Sequence, residues 1–248
     1  MKKHVLTFLL ALAITAGAGL VLPGLLDGAT PVAEEPAPSS MPVTASVSGD
    51  YYGVTGPAGA PYSVDGPGIV YCPLDGLGRA TCAYGELTAD IRQAAKDRGR
   101  QEILVDPVGW PSANAEVTIP ALAHVPGSTD YHGWLWNRSH LLADSLDGEP
   151  VPENLVTGTR TQNVGSVDNS GGMAYTETIA RDYLDSAAAE NCPLYYAATP
   201  AYTGDELVPR SVGVDIRSCD DSVDQHVEVL NSANGFAIDY TDGSWTQN

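Results

Sequence analysis

The chain has 248 residues, 43% of them apolar, and carries 31 acidic against 12 basic residues for a net charge of −19. This allows one large domain or two small ones around a real core. The charge excludes long-range steering toward a polyanion and fits a soluble surface.

The start reads as an export signal. Lys2 and Lys3 precede an apolar run from Val5 to about Leu26, broken only by small residues and Pro23. The run fits a cleaved signal peptide, with Ala16 or Ala18 as cleavage positions, or an anchor retained in the membrane. Either way residues 1–26 place the rest outside the cytoplasm, secreted or tethered. Residues 27–64, with "TPVAEEPAPSSMPV", read as a disordered linker rich in Pro, Ala, Gly and Ser. The folded domain is expected over 65–248.

"PGIVYCPLDGLGRATCAYG" predicts a hairpin with Cys72 and Cys82 on its arms. An even count of four cysteines behind an export signal favours two disulfides. Of three connectivities, Cys72–Cys82 and Cys192–Cys219 join neighbouring segments and are preferred. A zinc site is the weaker alternative, since no C-x-x-C pair exists. "LTADIRQAAKDRGR" has helical spacing, with Thr88 or Gly85 as cap and Gly99 as terminator. Its Arg92, Lys96, Arg98 and Arg100 form the densest basic cluster, either a solvated helix face or a set of phosphate contacts.

"AEVTIPAL" predicts a strand. Next comes "YHGWLWNRSHLLADSL", residues 131–146, in which His140 sits at a strand-to-helix junction before an apolar helical run. A neutral imidazole there can take a proton from water. "ENLVTGTRTQNVG", 153–165, reads as a polar loop whose Asn154, Arg160 and Asn163 can face a phosphate. The Asn163 amide oxygen suits a hard cation such as magnesium. "MAYTETIARDYLDSAAAE" predicts a helix that places Glu177 and Arg181 one turn apart. A surface salt bridge is the plain explanation. The functional one has Glu177 orienting a metal-bound water and Arg181 facing a phosphate. "PLYYAATPAY", "SVGVDIRS", "HVEVLNS" and "AIDYTD" read as antiparallel strands. The whole is an α+β domain.

Four segments in order, "NRSH" at 137–140, "NLVTGTRTQN" at 154–163, "MAYTE" at 173–177 and "TPAYTGDELVP" at 199–209, resemble the DNA/RNA non-specific endonucleases. The likeness is to the branch of DNA-entry and secreted bacterial DNases, over roughly residues 100–245. It implies a ββα-metal fold, a mainly antiparallel sheet with flanking helices, magnesium (manganese as the alternative) and a single His as general base. By position His140 matches that base and Asn163 the direct metal ligand. Glu177 matches the acid that holds metal-bound water. Arg181 matches an Arg on the scissile phosphate, and Arg138 is part of the motif. Asn154 and Arg160 are the candidate substrate contacts. The implied substrate is DNA, with RNA as a second class, held through backbone phosphates and cut to leave 5′-phosphates; no protein partner is expected. Ser139 replaces the motif Gly, which costs energy if the position needs φ > 0. "GSVDNSGG" at 165–172 lengthens the path to Glu177, and the acidic balance departs from basic relatives.

Rival readings are weaker. A Ser139–His140 esterase fails because adjacent residues do not easily hydrogen-bond as nucleophile and base, and G-x-S-x-G is missing. A glycosidase pair is weak among 31 acids. A catalytically inactive surface-binding module on the same fold is the main alternative.

Overall fold

The structure, a computed structural model, describes residues 49–112, 114–167 and 169–248. The expected export segment, and the linker up to residue 48, lie outside them. Among the described residues no helix is long and apolar enough to cross a membrane.

Six strands form one antiparallel sheet in the order β1-β10-β9-β8-β3-β2. They are β1 (Tyr52–Gly56), β2 (Gly68–Tyr71), β3 (Ala83–Leu87), β8 (Leu194–Ala201), β9 (Ser211–Ser218) and β10 (Asp224–Leu230). Alternation with period two sends Val212, Val214 and Ile216 of β9 and Leu194, Tyr196 and Ala198 of β8 into one core. Helices α1 (Ala89–Arg98) and α3 (Met173–Leu184) supply the other side of it. Fully buried Leu87, Leu141, Leu142, Leu146 and Met173 join them. A second, smaller core gathers Ile119, Leu135, Trp136, Val208 and Phe236. It lies under two-stranded pieces, β4 (Glu116–Ile119) with β5 (Tyr131–Trp134) and β11 (Phe236–Ile238) with β12 (Trp245–Gln247).

The α+β expectation holds, and so do both cysteine pairings: Cys72–Cys82 and Cys192–Cys219, with Cα separations of 5.1 and 5.4 Å. Helix α1 is capped by the Thr88 hydroxyl, which accepts from the Ile91 amide at 3.3 Å, and stops at Gly99 with φ 74°.

Three expectations are corrected. The folded chain begins before residue 65, because β1 pairs with β10 and Tyr51 is buried. The Tyr52 ring stacks on Tyr175 at 3.9 Å, so a segment of small residues is ordered by edge pairing and two aromatics. The apolar run after His140 is not a helix. It is a buried bend followed by one 3₁₀ turn over Asp144–Leu146, since Leu141, Leu142 and Leu146 are all taken into the core. The polar stretch 153–165 is not a loop. It holds β7 (Leu155–Thr159), buried throughout, and the short helix α2 (Arg160–Val164).

Asn231 ties this region to the sheet. Its Oδ1 accepts from the Thr159 amide at 2.8 Å, and its Nδ2 donates to the Thr157 and Pro209 carbonyls at 2.9 and 2.8 Å. Asn231 is fully buried, so truncation leaves backbone groups without partners, at about 1–3 kcal/mol each before relaxation. Asn231→Ala is expected to lower the free energy of unfolding by about 3 kcal/mol in a urea titration.

Candidate active site

The site is a strand pair closed by a short helix. Strand β6 (Trp136–His140) pairs antiparallel with β7, with His140 opposite Leu155 and Asn137 opposite Gly158. Chain direction then reverses into α2, whose start is fixed by Thr159: its hydroxyl accepts from the Gln162 amide at 3.0 Å and donates to the Ser232 carbonyl at 3.0 Å. The ladder register and this cap bring Asn163 over β6, where the Ser139 hydroxyl donates to Asn163 Oδ1 at 3.0 Å. Ser139 is fully buried and is not among the residues with positive φ, so the strain expected of a Ser at this position does not arise. Gly158 makes room for it, since a Cβ there would lie 2.7 Å from the Ser139 Cβ.

His140 and Asn163 line one cleft of about 940 Å³ together with Glu177, Arg138, Asn137, Trp110, Trp134 and residues of α1. His140 Nε2 is buried without a hydrogen-bond partner, as is Asn137 Nδ2. Burial holds the imidazole down at about 4 from an ordinary 6.5; Asp144 works against this and Arg100 adds to it. His140 is therefore neutral at pH 7, with a ring nitrogen available as an acceptor. Burial pushes the Glu177 carboxyl the other way, up to about 7 from 4.5, with Arg181 offsetting part of the shift.

Glu177 reaches the cleft across the 165–172 segment, which Asp50 pins. The Asp50 carboxylate accepts from the Ser166 and Val167 amides at 2.7 and 2.8 Å, and its carbonyl accepts from the Gly172 amide at 2.8 Å. Gly172 (φ 56°) then starts α3; a Cβ there would lie 2.2 Å from the Gln162 carbonyl oxygen, so only glycine fits.

The remaining predicted residues separate. Arg138 lines the cleft, bonded to Asp106 at 2.7 Å and lying over the Trp110 ring at 4.6 Å. Arg181 does not line it; its guanidinium sits 3.6 Å from Glu177 and donates to Ser145 and Thr178 at 3.2 and 2.7 Å. Arg160 lies over Tyr131 at 5.0 Å, away from the cleft. Asn154 is corrected outright as a substrate contact, because it is fully buried. Its Oδ1 accepts from the Leu142 amide and its Nδ2 donates to the Leu142 and Glu149 carbonyls, all at 2.9 Å. It clamps the two residues that follow His140.

Sequence reasoning missed Asp50, Asp106 and Trp110. The cations of α1 are mostly committed: Arg92 and Lys96 to Asp185 and Arg98 to Asp144. Arg100 lines the cleft and has no hydrogen bond or ion pair to any described residue. Among the described residues no group of three His, Cys, Asp or Glu side chains is placed to hold a metal, and all four cysteines are in disulfides. A cation here would rely on the Asn163 amide oxygen, the Glu177 carboxylate that lines the same cleft, and water. That donor set suits a hard, strongly hydrated ion rather than one needing thiolates.

A His on the first strand and an Asn on the closing helix, with a carboxylate from the next helix, define the ββα-metal class of nucleases. The pattern of the DNA/RNA non-specific endonuclease family matches residues 60–220. The chain is 34% identical over 198 residues to a deoxyribonuclease of Streptococcus dysgalactiae subsp. equisimilis, an alignment covering 71% of this chain and 59% of that one. It thus spans less than two thirds of that relative. The structure of Sda1 nuclease with a bound zinc ion superposes with a TM-score of 0.71 at 31% identity, over 80% of this chain and 97% of Sda1. NucA from Streptococcus agalactiae with a magnesium ion bound shares the fold, with a TM-score of 0.57 at 24% identity, over 73% of this chain and 80% of NucA. The chain belongs to the DNA/RNA non-specific endonuclease family.

The raised Glu177 pKa has a signed consequence for stability. The folded state binds the Glu177 proton more tightly than the unfolded chain, so this residue's contribution is present below about pH 4.5 and is lost as pH rises through about 7. Glu177→Gln lacks that loss. In chelator, its thermal stability relative to wild type is expected to climb between those pH values, by at most about 3 kcal/mol; a difference that stays flat with pH removes the buried carboxyl from this role.

Proposed function

We propose that this chain is an exported, metal-dependent endonuclease that hydrolyses DNA phosphodiester bonds, and those of RNA, with little sequence preference. The observation that carries the reading is that His140, whose imidazole burial keeps neutral and whose Nε2 has no partner among the described residues, lines the same cleft as Asn163. His140 Nε2 takes a proton from water, the water oxygen attacks phosphorus, and the bond to the 3′ oxygen breaks, leaving a 5′-phosphate and a 3′ oxygen that takes a proton from solvent water to become a hydroxyl.

Magnesium, or manganese in its place, would be held by Asn163 and water and would supply positive charge against the charge that builds on phosphate and leaving oxygen. Glu177 would hold water bound to such an ion, and Arg181, 3.6 Å away, favours the ionised form of that carboxyl against its burial. Arg138 and Arg100 offer charge to phosphate oxygens from the cleft walls. Contacts to phosphates alone read no sequence. Export is supported by the two disulfides and by the Lys2–Leu26 segment, whether cleaved or kept as an anchor.

Purified protein is expected to nick supercoiled plasmid in magnesium and to stop when chelator is added. His140→Ala should fold normally by circular dichroism while losing about 10²- to 10⁴-fold in kcat. Intact plasmid across magnesium, manganese and zinc favours an inactive binding module instead. Ser139→Ala removes the hydroxyl that orients the Asn163 oxygen. It is expected to raise the metal concentration for half-maximal activity about tenfold, with kcat at saturating metal largely kept.

A further inference from the structure

Trp134 ends β5 and is 51% exposed, yet it lines the same cleft as His140. Of the other exposed large apolar side chains among the described residues, Val54, Val70, Leu77 and Leu104, none lines it. Two residues on, Trp136 is 1% exposed and belongs to the smaller core. The difference arises after β5, whose alternation leaves His132 and Trp134 on the exposed face, at the bend on Leu135 that leads into β6.

The neighbouring rings are occupied. Arg138 covers Trp110 and Arg160 covers Tyr131. Neither a ring nor a guanidinium of the described residues covers Trp134. A large ring left bare at the edge of a reactive cleft needs a flat apolar occupant. Nucleobases have such faces, but in a duplex both faces of each base are already stacked on neighbours. Only an unpaired base can turn onto Trp134.

We infer that Trp134 is a stacking platform for an unpaired nucleobase of the substrate, so that the cleft prefers single-stranded stretches of nucleic acid. The inference rests on the nuclease reading. In a chain of net charge −19, whose cleft cations are mostly paired with acids, such stacking contributes a larger share of binding than in a basic nuclease.

The test compares kcat/KM on a labelled single-stranded oligonucleotide and on the same sequence as a duplex. Trp134→Ala is expected to lower the single-strand to duplex ratio about tenfold, through KM, with Trp134→Phe recovering most of it. In the His140→Ala background, oligothymidylate should quench tryptophan fluorescence, and adding Trp134→Phe should remove most of that quenching. A ratio within about twofold of wild type, or quenching that survives in Trp134→Phe, overturns the stacking role. A wild-type protein that cleaves neither substrate instead overturns the nuclease reading itself.

Discussion

The site depends on the backbone ladder between β6 and β7. Five residue pairs fix one strand against the other, and the chain passes from β7 into α2 without a loop. That continuity determines how far Asn163 stands from His140. The Ser139 hydroxyl then settles which way the Asn163 amide points. A slip of one residue in the ladder would turn His140 from the cleft toward the opposite face of the strand. The register is held from outside by two buried asparagines, Asn154 at the loop after His140 and Asn231 at the end of β7. Neither touches the cleft, and both satisfy backbone groups that water cannot reach.

The second carboxylate arm is built differently. Helix α3 approaches the cleft only after residues 165–172, and the clamp on that segment is Asp50, from a part of the chain that precedes the sheet. The environment that results splits the titrations of the two key groups. Burial keeps the His140 imidazole neutral, and it also holds Glu177 near its protonation threshold. Arg181 acts to keep Glu177 charged, and a cation bound beside it would act in the same direction.

Short-range features were legible in the sequence. The Thr88 and Gly99 boundaries of α1 are local backbone chemistry, and the disulfides follow from neighbouring cysteines. His140 stood out through the residues flanking it, whereas Asn163 and Glu177 were singled out by the family resemblance and not by their own surroundings. What could not be read was where polar side chains point. Asn154 and Asn163 lie nine positions apart in one polar stretch, and nothing local says that one faces the backbone and the other a cleft. Asp50 and Ser166 are 116 residues apart, so the value of that aspartate exists only after folding. The stretch around β1 looked like linker because its order comes from pairing with β10 rather than from its own composition.

Most cations near the cleft are already matched with acids, and the chain as a whole is strongly negative. A polyanion that docks here therefore displaces few condensed counterions, and its approach is opposed rather than drawn by the protein's field. Dissolved salt weakens that opposition while costing little attraction. Brine that strips DNA from a basic protein thus costs this surface comparatively little attraction.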